Sequence, residues 1–398
     1  MSLESFVHQW KEVFRFKSIK PDDRSIVFYA EDTASWRYFE PIIDELLITH
    51  GKRICYVTSS PSDPVLRRED SRIQAFSIGS GLARTVWFLF LQADVMVMTM
   101  PDLGTYHIKR SKYPVHYVYV YHSIISSHMA YRPKAFDHFD SILCVGPHHR
   151  DEIRAAEQLY GLKPKTLVDA GYGIVDSILA SKESMIDGPP QATGAGKRVL
   201  IAPSWGEHGL IETRGPELVQ VILEAGHRVT VRPHRMTMRQ RPKLLKELQE
   251  RFSSNPNFLL DTDLRSQGTI HSSDIMISDW SGAALEYAFG LERPVLFVDV
   301  PKKVNNPDYE KIGYVPVEVQ VRPGIGEVMS PDRLSEIPVV LDRLFENPEI
   351  WQERIRELRS RWIYNVGNSG RVAAAYIAQA AASSSAPESQ AVTGSGRL

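Results

Sequence analysis

Short apolar runs alternate with helical patterns through the first half of the chain. The runs are rich in β-branched and aromatic residues and predict strands over 26–29, 53–58, 74–78, 94–99, 115–121 and 142–145. Apolar residues at helical spacing predict amphipathic helices over 36–48 and 82–91. This alternation predicts a parallel sheet that is covered on both faces.

The pattern breaks at the turn-forming run 187–196 and then begins again. The second half carries predicted strands over 198–202, 228–231, 258–260, 274–277 and 295–298, and predicted helices over 216–225, 242–252 and 283–289. Beyond residue 331 the pattern is helical, over 334–345 and from 350 to about 382. Two α/β halves joined by a linker predict two doubly wound domains that face each other across a cleft, with ligands at the carboxyl ends of the strands.

The length of the chain supports this division, because 398 residues exceed the size at which one hydrophobic core keeps growing. The predicted parts are a Rossmann-like domain (1–185), a linker (186–197), a second Rossmann-like domain (198–345), C-terminal helices (346–382) and a disordered tail (383–398).

Composition excludes several classes of protein. The 47 basic residues balance 48 acidic ones, so no nucleic-acid partner is predicted. Cys55 and Cys144 lie in β-like runs, and two thiols in so long a chain predict buried, reduced core residues of a cytoplasmic protein. No signal peptide is visible, and no apolar run approaches the ~20 residues that span a bilayer.

Polar clusters follow four of the predicted strands, where a doubly wound sheet carries its ligands. The clusters are His122-Ser123, Pro203-Ser204-Trp205-Gly206, Arg232-Pro233-His234-Arg235 and Ser278-Asp279-Trp280-Ser281-Gly282. The histidines of the chain lack metal-ligand spacing, so we assign no metal and no cofactor.

The fourth cluster predicts an anion site. A strand that ends in hydroxyl residues and a glycine before a helix presents free amides and the positive end of the helix dipole. Ser278 and Ser281 add hydroxyl groups, and Gly282 allows a ligand to approach the backbone closely. Glu286 either binds the ribose hydroxyls of a nucleotide or is a favourable charge near the helix start, and Asp279 either orients a histidine or caps the helix.

Two histidines are candidates for chemistry. His122 is either a general base facing the cleft or a half-buried histidine bonded to a backbone carbonyl. Arg232 and His234, separated by a stiffening proline, either bind a diphosphate or form a solvated basic turn. Because three further clusters accompany His122, we favour the functional interpretation for it.

The N-terminal stretch combines apolar residues at helical spacing with lysines and arginines. Phe6, Val7, Trp10 and Phe14 lie among the basic residues Lys11, Arg15, Lys17 and Lys20. The pattern suits an interfacial membrane helix or a helix packed on its own domain, and both remain open.

Together the motifs resemble the CDP-glycerol glycerophosphotransferases, the family of teichoic-acid primases and polymerases. The family's Trp-His-Gly, Arg-Pro-His and Ser-Asp-Tyr-Ser-Ser motifs, with an Ala-Pro-Thr-Trp-like segment, stand here as Tyr121-His122-Ser123, Arg232-Pro233-His234, Ser278-Asp279-Trp280-Ser281-Gly282 and Ala202-Pro203-Ser204-Trp205. The resemblance implies a GT-B fold, whose first domain faces the acceptor and whose second domain holds the nucleotide donor.

The resemblance also implies roles. His122 is expected to take the proton of the acceptor hydroxyl, and His234 and Ser281 to bind the donor diphosphate. Arg232, Ser278 and Gly282 are assigned to the same diphosphate, Glu286 and Ser204 to the nucleotide, and Asp279 to support. Ser123 stands where the family has glycine, and Gly282 stands where it has a second serine. These departures leave the polyol of the donor open.

The function expected is therefore transfer of an alditol phosphate, glycerol phosphate or a similar polyol phosphate, from a CDP donor to a hydroxyl of a cell-surface polysaccharide or teichoic-acid-like precursor, with release of CMP. The partners expected are a CDP-alditol and a polysaccharide or lipid-linked acceptor, with peripheral contact at the inner face of the cytoplasmic membrane. Two alternatives stay open: a GT-B glycosyltransferase that uses a nucleotide sugar, and a catalytically silent nucleotide-binding scaffold.

Overall fold

The computed structural model describes residues 3–105, 108–184, 196–263 and 266–384. The first of its two sheets has seven strands, in the order β3-β2-β1-β4-β5-β6-β7. These strands are β1 (Ile26–Ala30), β2 (Ile54–Thr58), β3 (Ile73–Ser77), β4 (Val95–Met98), β5 (His116–Val120), β6 (Ser141–Cys144) and β7 (Thr166–Asp169). Strands β1 to β5 pair in parallel, as the alternation of strands and helices predicts.

The second sheet has six strands, all paired in parallel in the order β10-β9-β8-β11-β12-β13. They are β8 (Arg198–Ile201), β9 (Arg228–Val231), β10 (Phe258–Leu260), β11 (Ile275–Ser278), β12 (Val295–Val298) and β13 (Gly326–Met329). Counted from its own first strand, this order is the 3-2-1-4-5-6 arrangement of the Rossmann fold.

Helices connect the strands, as parallel pairing requires. They are α1 (Leu3–Lys17), α2 (Trp36–Ile48), α3 (Leu82–Leu89), α4 (Ser127–Ala130), α5 (Pro147–Tyr160), α6 (Gly173–Ser184), α7 (Leu210–Glu224), α8 (Arg235–Gln240), α9 (Pro242–Phe252), α10 (Gly268–Ser272), α11 (Gly282–Leu291), α12 (Val317–Ile325), α13 (Ile337–Glu346), α14 (Pro348–Trp362) and α15 (Ser369–Ser384).

The described residues divide into two compact units. One consists of those within Met1–Val120, His138–Ile142 and Arg371–Leu398, and the other of those within Tyr121–Asp137 and Leu143–Gly370. The loop that carries His122 therefore belongs to the same unit as the second sheet. Most of the expected linker, residues 186–195, and the expected tail from 385 onward lie outside the described residues.

The central strands are buried on both faces, as expected of a sheet that helices cover on both sides. All residues of β1, β2, β11 and β12 are buried, which explains why their sequences are continuous apolar runs rather than alternating ones. Cys55 and Cys144 are buried residues of this core, as predicted.

Sequence patterning missed two strands, several helices that include α5, α6 and α12, and a helix break. β13 is short and begins with a glycine, and β7 is a four-residue edge strand with one fully buried side chain, so neither shows a long apolar run. The helix expected from 350 to about 382 was wrong as one stretch, because it ends at Trp362 and a new helix begins at Ser369. Asn365 and Gly367 between them have positive φ, which a helix does not allow.

Candidate active site

The candidate site lies where the strand order of the second sheet reverses, between the neighbouring strands β8 and β11. In open α/β sheets the crevice at such a point holds the ligand. β8 pairs with β11 with Ile201 opposite Ile277, so the residues that follow both strands meet at one edge of the sheet. The predicted clusters after β8 and β11 are therefore neighbours.

Ser278 and Asp279 hold these two strand ends together. The Ser278 hydroxyl donates to the carbonyl of Ala202 at 2.8 Å and is fully buried. Asp279, also fully buried, accepts the backbone N–H of Ser204 at 2.7 Å and that of Leu210 at 3.4 Å. Burial raises the pKa of the Asp279 carboxyl, while these N–H donors oppose the shift. Both side chains thus position the loop after β8.

Ser281 begins the helix that the sequence predicts as the anion site. It is the N-cap of α11, and its Oγ accepts the backbone N–H of Ala283 at 3.3 Å. Because the oxygen serves as an acceptor there, the hydroxyl proton of Ser281 is left to donate to a ligand. Gly282 follows as the first residue of the ten-residue helix, where the backbone amides and the dipole favour an anion.

Gly282 lies against Ser123 of the loop after β5. A Cβ atom placed on Gly282 would overlap the Oγ of Ser123, because the two atoms would be closer than Cβ atoms come to neighbouring atoms in real structures. Ser123 and Gly282, two of the positions at which this chain departs from the motifs quoted above, are therefore in direct contact. Residue 282 has no hydroxyl group, but the Ser123 hydroxyl lies against it from the loop after β5.

His122 precedes Ser123 and lies in the electrostatic reach of His234. A charge on His122 lowers the pKa of His234, which places the two imidazoles near each other although 112 positions separate them in the chain. The His122 ring contacts Tyr131 edge-on, with 5.6 Å between ring centroids. The His122-Ser123 loop thus lies near His234 and against Gly282.

His234 is a neutral imidazole of defined tautomer. Its Nδ1 accepts the backbone N–H of Met236 at 3.0 Å, so the ring proton sits on Nε2. Burial, the Lys303 ammonium and His122 together lower the pKa of His234 to about 4. At neutral pH, His234 therefore offers an uncharged N–H donor to a ligand.

Arg232 is engaged inside the second sheet. Its Nη1 donates to Asp261 Oδ2 at 2.7 Å and to Thr269 Oγ1 at 3.0 Å, and both ionic groups are buried. A buried ion pair of this kind is broken only at a large cost, since either partner alone would be an uncompensated charge. Arg232 fixes the end of β9, from which His234 projects.

The two residues predicted to hold the nucleotide lie at this edge as well. Glu286, on the second turn of α11, accepts the hydroxyl of Tyr172 at 2.6 Å. Ser204 donates its backbone N–H to Asp279. Both side chains are half-buried, so each retains contact with solvent from which a ligand arrives.

No motif in the sequence predicts the frame of hydrogen bonds that holds the loop after His122. The Ser126 amide and hydroxyl both donate to Glu318 at 2.9 Å, and the Ser127 amide and hydroxyl both donate to Glu152 at 2.6 Å. His128 forms an ion pair with Glu152, at 3.1 Å between Nδ1 and Oε1. Burial disfavours the His128 cation, but Glu152 outweighs this and raises the pKa of His128.

Two buried histidines complete this frame. His148 and His149, at the start of α5, donate from Nε2 to the carbonyls of Ile124 and Ile125, each at 2.9 Å. The partners in the frame lie about 25 to 192 positions away from the loop, so no short motif could have revealed them. The loop that carries His122 and Ser123 is therefore fixed residue by residue.

Two further side chains join the site. Trp205, after β8, stacks on His234 with 6.0 Å between centroids and 24° between planes. Lys303, after β12, lies with its Nζ 3.3 Å from the centroid of the Trp205 ring. Within the described ranges, no group of three or more histidine, cysteine or acidic side chains has the geometry to hold a metal ion.

Two parallel sheets in Rossmann order, the second with a helix start at its switch point where backbone amides favour an anion, make up the GT-B fold. The sequence model of the CDP-glycerol:poly(glycerophosphate) glycerophosphotransferases matches residues 12–304, and the chain belongs to this family. The predicted class of enzyme is confirmed: the chain is a CDP-glycerol glycerophosphotransferase-like transferase.

Solved structures share the fold at low sequence identity. A histidine-to-asparagine variant of the wall teichoic acid polymerase TagF, soaked with CDPG, is 14% identical over 95% of this chain and 94% of its own, with a TM-score of 0.59. A putative UDP-N-acetylglucosamine 2-epimerase from Listeria monocytogenes is 13% identical over 87% of this chain and 94% of its own, with a TM-score of 0.55. No curated protein matches the chain by sequence.

A third solved structure, the UDP-GlcNAc 2-epimerase from Neisseria meningitidis bound to UDP-GlcNAc, is 14% identical over 87% of this chain and 97% of its own, with a TM-score of 0.53. At such identities the likeness shows the fold, and it confirms the predicted GT-B architecture.

Proposed function

We propose that the chain transfers glycerol phosphate from CDP-glycerol to a hydroxyl of a teichoic-acid-like polymer at the edge of the second sheet where β8 and β11 end. One observation carries this assignment. The loop after β5 brings His122 and Ser123 onto His234 and Gly282, so a candidate base and a candidate diphosphate site share one place. A transferase needs such a pairing, because the acceptor hydroxyl must lie beside the donor phosphorus.

The proposed step is a single in-line displacement. The acceptor oxygen forms a bond to the β-phosphorus, and the bond from that phosphorus to the bridging oxygen breaks. CMP leaves with the bridging oxygen and its electron pair, and His122 takes the proton of the acceptor hydroxyl. Positioning and charge stabilisation supply most of the acceleration in such transfers.

The proposed donor contacts follow from the available protons. His234 donates from Nε2, Ser281 donates its hydroxyl proton, and the amide of Gly282 adds the helix start. Glu286 and Ser204 are proposed to bind the nucleoside. Ser278, Asp279 and Arg232 act through the backbone that they hold in place.

The test is a panel of donors scored by the nucleotide that each releases. CDP-glycerol with a poly(glycerophosphate) acceptor is expected to yield CMP. His122→Ala is expected to lower turnover by about 10²- to 10⁴-fold, the usual contribution of a general base, with its fold retained. His208→Ala is the matched control, because His208 is an exposed histidine in the loop after β8 and should leave turnover unchanged.

Other outcomes would overturn the proposal. Release of CDP or UDP from a nucleotide sugar, without CMP from CDP-glycerol, would instead identify a glycosyltransferase. Binding of CDP without turnover of any donor would support a silent scaffold. Unchanged turnover in His122→Ala would remove His122 from the role of base.

We further propose that α1 holds the protein at a membrane surface. Val13 and Phe16 are buried against the first sheet, whereas Phe6, Val7 and Phe14 are exposed, Phe14 by 62%. Phe6, Trp10 and Phe14 form a row one helical turn apart, with centroids 6.2 and 6.4 Å apart. Exposed aromatic rings beside the lysines of α1 suit an anionic lipid surface. No helix in the described ranges has the length and apolarity to cross a bilayer.

A further inference from the structure

Lys303 lies at the candidate site without a role in the proposal so far. It follows β12, the strand that pairs in parallel with β11, so its segment leaves the sheet at the edge where Ser281 stands. Its Nζ lies over the ring of Trp205, which in turn stacks on His234. Lysine, tryptophan and histidine thus form one stack, contributed by the segments after β12, β8 and β9.

The charge of this lysine has no close counterion. No carboxylate of the described residues lies within ion-pair distance of its Nζ, and the acidic groups that act on it, Asp279 and Glu212, do so from farther away. Asp279 is occupied by the amides of Ser204 and Leu210, and Glu212 accepts the hydroxyl of Thr237 at 2.7 Å. A half-buried ammonium in this position is poorly compensated until an anion arrives.

Two buried arginines of this region, Arg232 and Arg322, already have carboxylate partners. Arg232 is held in its buried pair with Asp261, and Arg322 pairs with Asp299 at 2.9 Å. His234 is uncharged at neutral pH, because burial and the charges of Lys303 and His122 lower its pKa to about 4. A diphosphate bound beside His234 would therefore find its compensating charge on Lys303.

We propose that Lys303 contacts the donor diphosphate and neutralises the negative charge that builds on the CMP phosphate as its bond to the β-phosphorus breaks. This inference rests on the proposed function of the site. The ammonium remains charged throughout the step, and the proton of the acceptor still goes to His122. Lys303 thereby differs from His234 and Ser281, which contribute neutral donors, and it is expected to act on the leaving group more than on ground-state binding.

The same assignment predicts how the activity of the free enzyme depends on pH. Burial lowers the pKa of Lys303 to about 8, with Asp279 and Glu212 opposing the shift. The cation is present below that pH and is lost as the pH rises through it, so kcat/KM for CDP-glycerol should fall above about pH 8. His234 and Trp205 face Lys303 from the other elements, and His234 does not titrate in that range.

The experiment uses the full chain with CDP-glycerol and compares Lys303→Met, Lys303→Arg and the control Lys302→Met. Lys302 is the adjacent exposed lysine, 5.8 Å from the ring of Trp280, and its variant should keep wild-type activity. Lys303→Met is expected to lower kcat/KM on the order of 10²-fold, mainly through kcat, as loss of one transition-state donor does. Lys303→Arg should retain activity and move the alkaline fall to higher pH, because a guanidinium keeps its proton.

The outcomes separate this inference from the proposed function. If the wild-type chain releases no CMP from CDP-glycerol, the proposed function fails and the inference fails with it. If the wild-type chain releases CMP but Lys303→Met matches Lys302→Met, only the role of Lys303 is overturned. If Lys303→Met fails to fold, the pH profile of kcat/KM for Lys303→Arg is the test. An alkaline fall at the same pH as in the wild type would count against the inference.

Discussion

At the scale of single residues, the contact between Ser123 and Gly282 changes the meaning of two departures from the family pattern. Taken one at a time, each is the loss or gain of a hydroxyl. In the structure they occupy one space, because a Cβ atom on residue 282 would overlap the Ser123 hydroxyl where it now lies. We call the two departures together an exchange: compared with the family motifs, the hydroxyl at the start of α11 is absent and a hydroxyl is present on the facing loop.

This exchange predicts a double-mutant result. Gly282→Ser alone should lower kcat/KM by at least about tenfold and destabilise the protein by about 1–3 kcal/mol, because its side chain collides with Ser123. Adding Ser123→Gly should restore most of both quantities. Steady-state kinetics and urea unfolding of the four proteins measure the coupling.

Ser123→Gly alone serves as the control for the loss of a hydroxyl without a collision. Losses that simply add in the double variant would mean that the two side chains do not share this space.

At the residue scale, the sequence predicts only those site residues whose positions follow from local backbone patterns. Strand ends and a helix start single out His122, His234 and Ser281 as candidates, because these positions follow from backbone periodicity. The ion pair of Arg232 with Asp261 and the stack of Lys303 on Trp205 join residues far apart in sequence. Their geometry depends on packing, which no spacing rule contains.

At the scale of secondary-structure elements, α1 combines two faces with different tasks. Val13 and Phe16 dock the helix on the protein, with Phe16 edge-on to Phe76 and Trp87 at 5.4 Å. The opposite face leaves Phe6 and Phe14 to solvent. The two interpretations open from the sequence are therefore compatible, since one face supports packing and the other supports the proposed membrane contact.

The variant Phe6→Ser/Phe14→Ser tests the membrane contact. It should lose binding to phosphatidylglycerol-containing vesicles in a sedimentation assay, while CMP release with a water-soluble acceptor stays at the wild-type level. Ile48→Ser is the matched control, because Ile48 ends α2 with 76% of its side chain exposed and should not affect vesicle binding. Equal binding by wild type and the double variant would contradict the proposal.

The element boundaries show which patterns are reliable. Strands β9, β10 and β12 and helix α9 match the sequence-based ranges at both ends, because each is bounded by turn formers or charged residues. Helix α7 begins six residues earlier than expected, and Pro216 lies inside it. Pro216 is the seventh residue of α7, beyond the first turn in which proline is usually found, so the proline did not mark the start of the helix.

At the scale of the whole molecule, the alternation of strands and helices was sufficient to predict two parallel sheets, since parallel strands need crossover connections. It was not sufficient to predict which unit the His122 loop would join. That assignment depends on the bonds of Ser126 and Ser127 to Glu318 and Glu152, which pair the loop with α12 and α5.

The burial of the two cysteines has a practical consequence at this scale. Cys55 lies in one compact unit and Cys144 in the other, and burial raises the pKa of each thiol to about 12. A thiol-modifying reagent can therefore react only after the surrounding strand opens. Each unit therefore contains one cysteine whose rate of modification reports how often the structure around it opens.

These reporters can be read separately by mass spectrometry of labelled peptides. Added CDP should slow the modification of Cys144 more than that of Cys55, because the candidate donor residues lie in the unit of Cys144 and binding stabilises the closed form. Equal slowing at both thiols would show that the units open together. Two residues that take no part in the chemistry would thus show how local or how global the stabilisation by a donor nucleotide is.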